Sequence, residues 1–183
     1  MSQNLSNIVI TGFMGTGKTT VGKEVAQRLS KKFYDFDQII EERMKISIKE
    51  IFEKYGEIFF RDIESKIVTE FAGQTQAVIA TGGGTLLFQN NFSTLSRNSI
   101  MFCLTTETNI LIKRLETFFG RPLLAGGVLS ERIVCLLKER ESLYQKLPNQ
   151  IDTSILSPSE VASKIMKIYN QHLVAKKFNV DKK

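Results

Sequence analysis

The stretch "NIVITGFMGTGKTTVG", residues 7–22, decides how the rest of the chain is read. Its first five residues form a short apolar run of strand type. From Lys18 to Ser30 the apolar residues Val21, Val25, Ala26 and Leu29 recur at helical spacing. Between the two lies "GFMGTGKT", residues 12–19, which meets G-x-x-x-x-G-K-[ST] at every fixed position. At ordinary residue frequencies a chain of this length would hold such a match by accident in under about 1% of cases. The context is also the one its chemistry needs, a loop that leaves a strand and opens a helix. There the backbone N–H groups of Gly15 to Thr19 can cradle phosphates at a helix amino terminus. Lys18 can neutralise β- and γ-phosphate oxygens, and the Thr19 hydroxyl can hold Mg²⁺.

Working outward, strand and helix alternate four more times. "FYDF" (33–36) precedes helical stretches over roughly 38–72, broken near Ile46 and at Gly56. "AVIAT" (77–81) ends in three glycines and leads to a short helical segment near 90–96. "SIMFCLT" (99–105) leads to a helix over 107–116, and a long helix over 128–146 comes before "QIDTS" (150–154). The last helix has a marked start, with Ser157 as N-cap, Pro158 in the first helical position and Glu160 closing a capping box. Short apolar strands separated by helices predict an α/β fold of three αβα layers around a central five-stranded, mostly parallel sheet, of the P-loop NTPase type. Ligands in such sheets bind at the carboxyl ends of the strands, which puts the glycines after the third strand on the same rim as the phosphate loop. Between Leu115 and Gly127 the helical period is lost, and a lid over about 116–127 is expected.

Composition limits the function. With 183 residues, 42% hydrophobic and 24% charged, the chain suits one domain, expected over residues 1–175. The formal charge is +6, and four lysines against one aspartate in residues 176–183 supply +3 of it, so that segment reads as a frayed, solvated tail and not a nucleic-acid arm. The amino-terminal "MSQNLSN" carries no Lys or Arg, and no stretch approaches a membrane span; a soluble, cytoplasmic protein without secretory or mitochondrial signal is expected. Cys103 and Cys135 stand in apolar runs without metal-type spacing and are read as buried thiols. His172 is the only histidine, which leaves no candidate for a histidine-based triad.

A phosphate loop alone does not separate a kinase from a switch GTPase or a motor. No Asn/Thr-Lys-x-Asp loop for guanine is present, and the third strand ends in Thr81 where a metal-holding aspartate is usual. "YDFD" offers carboxylates instead. If the extended conformation persists, Asp35 and Asp37 share one face with Phe36 on the other, one for Mg²⁺ and one to take a proton from a hydroxyl; spacing alone equally allows a strand exit with capping aspartates. Arg61 and Glu64 stand at i,i+3 and would by themselves read as a surface pair. Arg140, among Lys138, Glu139 and Glu141, would read as part of a solvated face.

Taken in order, "GFMGTGKTTVG", "YDFDQIIE", "IFEKYGEIFFRDIE", "ATGGGT", "RLETFFGRPLL" and "RESLYQKL" resemble the shikimate kinase family, from about Asn7 to Tyr169. The resemblance implies transfer of the γ-phosphoryl group of ATP to the 3-hydroxyl of shikimate, with Mg²⁺, by a monomer without nucleic-acid or membrane partners. Gly12, Met14, Gly15, Thr16, Gly17, Lys18, Thr19 and Thr20 would then hold the phosphates, and Arg114 and Pro158 would border the adenine. Thr19 and Asp35 would serve the metal. Asp37 would bind substrate hydroxyls and act as base, aided by Lys18 and by Arg121 from the lid. Arg61 and Arg140 would grip the carboxylate, with Gly82, Gly83 and Gly84 as a bare wall against the ring and residues 37–61 as the substrate-binding segment. Two departures stand out: Phe118-Phe119 in the lid, where the family is expected to be polar, and Leu147, where alanine is frequent. A gluconate-type kinase would share the phosphate loop but lack the paired arginines and the glycine wall, and a non-catalytic nucleotide-binding module would depend on the basic tail.

Overall fold

The computed structural model describes residues 7–116 and 128–180. Five strands, β1 (Asn7–Gly12), β2 (Lys32–Asp35), β3 (Ala77–Ala80), β4 (Ser99–Thr105) and β5 (Gln150–Asp152), form one sheet in the order β2-β3-β1-β4-β5. Every pairing is parallel, so the sheet is wholly and not mostly parallel. The helices are α1 (Lys18–Arg28), α2 (Phe36–Met44), α3 (Ile48–Phe71), α4 (Gln89–Ser96), α5 (Thr108–Glu116), α6 (Leu129–Lys146) and α7 (Pro158–Val180).

Two apolar clusters, one on each face, explain why the strands read as continuous apolar runs. On β1 and β4, Ile8, Ile10, Ile100, Phe102 and Leu104 face α1 and α7, where Val21, Val25, Val161 and Ile165 meet them. The alternate residues Val9, Met101 and Cys103 face the other layer, with Phe36, Ile40, Ile67, Leu111 and Ile133. The period of two along each strand thus feeds two cores at once.

The chain leaves β1 for the β2 edge, returns to β3 beside β1, and then crosses to β4 and β5. That reversal makes the carboxyl end of β1 a topological switch point. Gly12 ends the strand because nothing larger fits: a Cβ there would lie 2.2 Å from the Leu104 carbonyl oxygen. The Ser157–Glu160 capping box forms as expected, with Ser157 N–H donating to Glu160 Oε2 at 2.8 Å and Glu160 N–H to Ser157 Oγ at 3.3 Å.

Some expectations hold here and others need correction. Of the two readings of "YDFD", the extended one fails, because helix α2 begins at Phe36, and the strand exit with a capping aspartate holds: Asp35 caps the helix, its Oδ1 accepting the N–H groups of Asp37 and Gln38. As expected, the long helical region breaks around Ile46, between Lys45 and Ser47, and again at Gly56, where φ 80 and ψ 173 kink α3. Cys103 is buried, but Cys135 is exposed: it lies off the inward line of Ile133, Arg140 and Tyr144 on α6, and its Sγ reaches Glu139. Helix α7 continues to Val180, so the backbone of the first residues after 175 is helical. Among the described residues no helix is long and apolar enough to cross a membrane.

Candidate active site

At the carboxyl edge of the sheet a cleft of about 640 Å³ opens over the phosphate loop. Gly17 precedes α1 in the left-handed region at φ 94, and no side chain caps the helix, whose first turn also has no acidic residue. The amino-terminal N–H groups are therefore kept for an anion. Lys18 folds back so that its Nζ donates to the carbonyl oxygens of Gly12 and Phe13, both at 3.0 Å. Thr19 Oγ1 donates to Asp35 Oδ2 at 2.6 Å, while the other Asp35 oxygen caps α2. One carboxylate thus joins the second strand to the phosphate loop.

Of the residues expected at the phosphates, Gly15, Thr16, Gly17, Lys18, Thr19 and Thr20 line this cleft. Gly12 and Met14 do not. Gly12 contributes its carbonyl to Lys18, and the Met14 side chain packs into the core under the loop. Arg114 and Pro158 line the cleft too, and Arg114 also braces it, donating to the Thr153 carbonyl at 2.8 Å and to Gly15 O at 3.3 Å. Thr153 completes that brace by donating to Thr16 O at 3.1 Å. The lid, with Arg121, Phe118 and Phe119, lies outside the described residues.

Beside the cleft is a recess of about 50 Å³ lined by Arg61, Glu64, Gly82, Gly83, Gly84 and Arg140, and Asp37 lines both spaces. Arg61 is only 8% exposed and donates to Glu64 Oε2 at 2.9 Å and to Glu57 Oε1 at 2.9 Å. The i,i+3 pair is therefore real but not a surface pair. Burial opposes the Arg61 charge, and the two carboxylates outweigh it, leaving its pKa above the ordinary arginine value. Glu64 is fully buried and also accepts from Thr85 Oγ1 at 2.5 Å. Burial pushes the Glu64 carboxyl above the usual glutamate range, against the pull of Arg61 and Thr85. Sequence reading missed Glu64 as a site residue; its spacing from Arg61 was the available signal.

Arg140 is 4% exposed and so does not belong to a solvated face. Its guanidinium stacks over the Phe13 ring at 5.7 Å, while Nη1 is buried without a hydrogen-bond partner among the described residues. That nitrogen points at the glycine wall, 3.3 Å from where a Gly83 Cβ would stand. One turn on, the Tyr144 hydroxyl donates to Gly83 O at 2.7 Å, and burial pushes its pKa up to about 12. The glycines have a local reason as well. A Cβ on Gly82 would come within 2.7 Å of Glu64 Oε1 and 2.8 Å of Asp37 Oδ1, and one on Gly84 within 2.7 Å of Arg61 Nη2. Bare backbone here lets three charged side chains close on one point.

Among the described residues no three or more His, Cys, Asp or Glu side chains come together so as to hold a metal ion by themselves. The Thr19 hydroxyl and the Asp35 carboxylate still suit Mg²⁺, a hard cation that is typically held by one or two carboxylates and by substrate phosphates while keeping several waters.

What fold and cleft define together is a P-loop kinase for a small, polar acceptor molecule. The family model for shikimate kinase matches residues 14–170. A shikimate kinase of Thermodesulfovibrio yellowstonii is 45% identical over 167 residues, 91% of this chain and 96% of its own, and one of Geobacter sulfurreducens is 39% identical over 166, covering 91% and 92%. The solved shikimate kinase of Acinetobacter baumannii in complex with shikimate superposes with a TM-score of 0.87 at 33% identity, covering 93% of this chain and 96% of that one. The chain belongs to the shikimate kinase family. A gluconokinase of Sinorhizobium meliloti, at TM-score 0.64 and 15% identity over 97% of this chain and 98% of its own, shares the fold alone.

Proposed function

We propose that this protein transfers the γ-phosphoryl group of ATP to the 3-hydroxyl of shikimate, with the nucleotide in the larger cleft and the acid in the recess. One observation carries the reading: Asp37 lines both spaces, so its carboxylate stands where a phosphoryl group and an acceptor hydroxyl would meet. The Nη1 of Arg140, buried in the recess without a hydrogen-bond partner among the described residues, supports an anionic acceptor, since such a nitrogen is costly unless a ligand answers it.

In this reading Arg61 and Arg140 bind the shikimate carboxylate, and Gly82 to Gly84 border the ring. Glu64 holds Arg61 in place through the hydrogen bond between Arg61 Nη1 and Glu64 Oε2. Asp37 accepts the proton from the attacking hydroxyl oxygen as its bond to phosphorus forms. The N–H groups of residues 15–19 and the Lys18 ammonium bind the departing ADP phosphates, and Arg114 and Pro158 border the adenine. Arg121 reaches the phosphates from the lid. Mg²⁺ would be held by Thr19 and Asp35, and when bound it neutralises charge on the β- and γ-phosphate oxygens. Catalysis then rests on positioning and charge. ATP supply and two free thiols, one of them exposed, fit a cytoplasmic enzyme, and the reading includes a monomer, which gel filtration tests.

The test is ADP release from ATP and Mg²⁺ with a panel of polyhydroxy acids. Turnover with shikimate and not with gluconate is expected, and the reverse preference overturns the assignment.

A further inference from the structure

Thr81 follows β3 directly, at the position where the metal-holding aspartate was missing from the sequence. Its N–H donates to the Ile10 carbonyl on β1 at 3.0 Å, and the register Asp35↔Ala80 puts it beside the carboxyl end of β2. Thr81 therefore sits between the strand that leads into the phosphate loop and the strand that ends in Asp35. It is 2% exposed, it lines the cleft together with Lys18, Thr19, Asp35 and Asp37, and its hydroxyl has no hydrogen-bond partner among the described residues. Valine has nearly the same shape and would leave no hydroxyl unpaired. A buried hydroxyl on a cleft wall is useful when a ligand completes its hydrogen bonds.

We propose that Thr81 is a positioning residue for the metal: its hydroxyl accepts a hydrogen bond from a water of the Mg²⁺ hydration shell. This rests on the Mg²⁺ reading above. Mg²⁺ gives up its waters reluctantly, so a site with one carboxylate and one hydroxyl ligand needs outer partners for the waters that remain. Thr81 offers an acceptor beside Asp35, on a rigid strand end, and so replaces by a water-mediated contact what a strand-end aspartate would do directly. The cradle N–H groups belong to residues 15–19 on the neighbouring loop, which leaves the carboxylate side of the cleft to Thr81.

The test needs no turnover. The affinity of a non-hydrolysable ATP analogue is measured calorimetrically with and without Mg²⁺ for the parent, Thr81→Val and Thr81→Ser, with a thermal melt of each as a folding control. The parent should bind more tightly with Mg²⁺. Thr81→Val should lose about tenfold of that gain, equivalent to about 1.4 kcal/mol, with metal-free affinity unchanged, and Thr81→Ser should keep it. The proposal fails if Thr81→Val keeps the Mg²⁺-dependent gain within twofold, if it loses affinity equally without metal, or if serine fails as valine does. A parent that gains nothing from Mg²⁺ would instead overturn the metal reading itself.

Discussion

Replacing Arg140 by methionine should move stability and function in opposite directions. Nη1 is buried without a partner among the described residues, and such a group costs about 1–3 kcal/mol until a ligand answers it. Methionine fills similar space with an adaptable apolar chain, so the cost goes without a large cavity. The stacking of the guanidinium on Phe13 is lost as well, worth about 0.5–2 kcal/mol. The balance runs from about −1 to +2.5 kcal/mol and centres on a gain of under about 1 kcal/mol, which for a chain of this size moves Tm by a few degrees at most. Against this, the variant loses a charge-assisted bond to the substrate carboxylate of about 1.5–3 kcal/mol, so KM for shikimate should rise about 10- to 150-fold. KM for ATP should stay within about threefold, because the arginine lies in the recess and not in the cleft. Melts with and without shikimate and steady-state ADP release supply both numbers. A variant whose Tm drops by many degrees while shikimate affinity holds would refute the reasoning, since Arg140 would then be a structural residue.

Asp37→Asn keeps the shape and removes the base; kcat should fall about 10²- to 10⁴-fold with nucleotide affinity nearly unchanged, and near-normal turnover in a stopped assay would contradict its role. Glu64→Gln tests the buried carboxyl through pH. Because burial holds its native pKa above the ordinary 4.5, the native state keeps this proton after the unfolded chain has lost it. That contribution is complete below pH 4.5 and is lost as pH rises through the native value. Urea unfolding from about pH 4 to 8 should therefore show the variant gaining relative to the parent as pH rises, and a pH-independent difference would contradict the burial argument. Gly56→Ala should cost about 1–3 kcal/mol although a Cβ there meets nothing within 4 Å, because φ 80 and ψ 173 are open almost only to glycine; an unchanged melting curve would show that the kink can relax.

Local patterns carried much of this structure in the sequence. The phosphate loop, the alternation of strand and helix, and the Ser157–Glu160 cap each depend on residues within a few positions, so they could be read directly. Asp35 and Asp37 show the limit: spacing alone left open a continuing strand or a strand exit with capping aspartates, and the second holds at Asp35, whose carboxylate takes the backbone N–H groups ahead and starts a helix. Arg61 and Arg140 looked like surface charges because their sequence neighbours are charged. Their burial comes from α3 and α6 meeting Gly82 to Gly84, contacts across at least eighteen residues of chain that no local pattern encodes. Glu64 was visible only as the partner of Arg61, and Thr81 only as the residue where an aspartate was absent. Cys135 was misread because an apolar run on an amphipathic helix does not say which of its members turns outward.

The central claim is that cleft and recess meet at Asp37 and hold the two substrates together. A crystal structure of the dead-end complex with ADP, Mg²⁺ and shikimate tests it most directly. The account predicts the shikimate carboxylate within hydrogen-bonding distance of Arg61 and Arg140, with a ring hydroxyl at Asp37 facing the β-phosphate across the Lys18 ammonium. An acid bound outside the recess, or one that turns its carboxylate toward Lys18 and its hydroxyls toward Arg140, would contradict it.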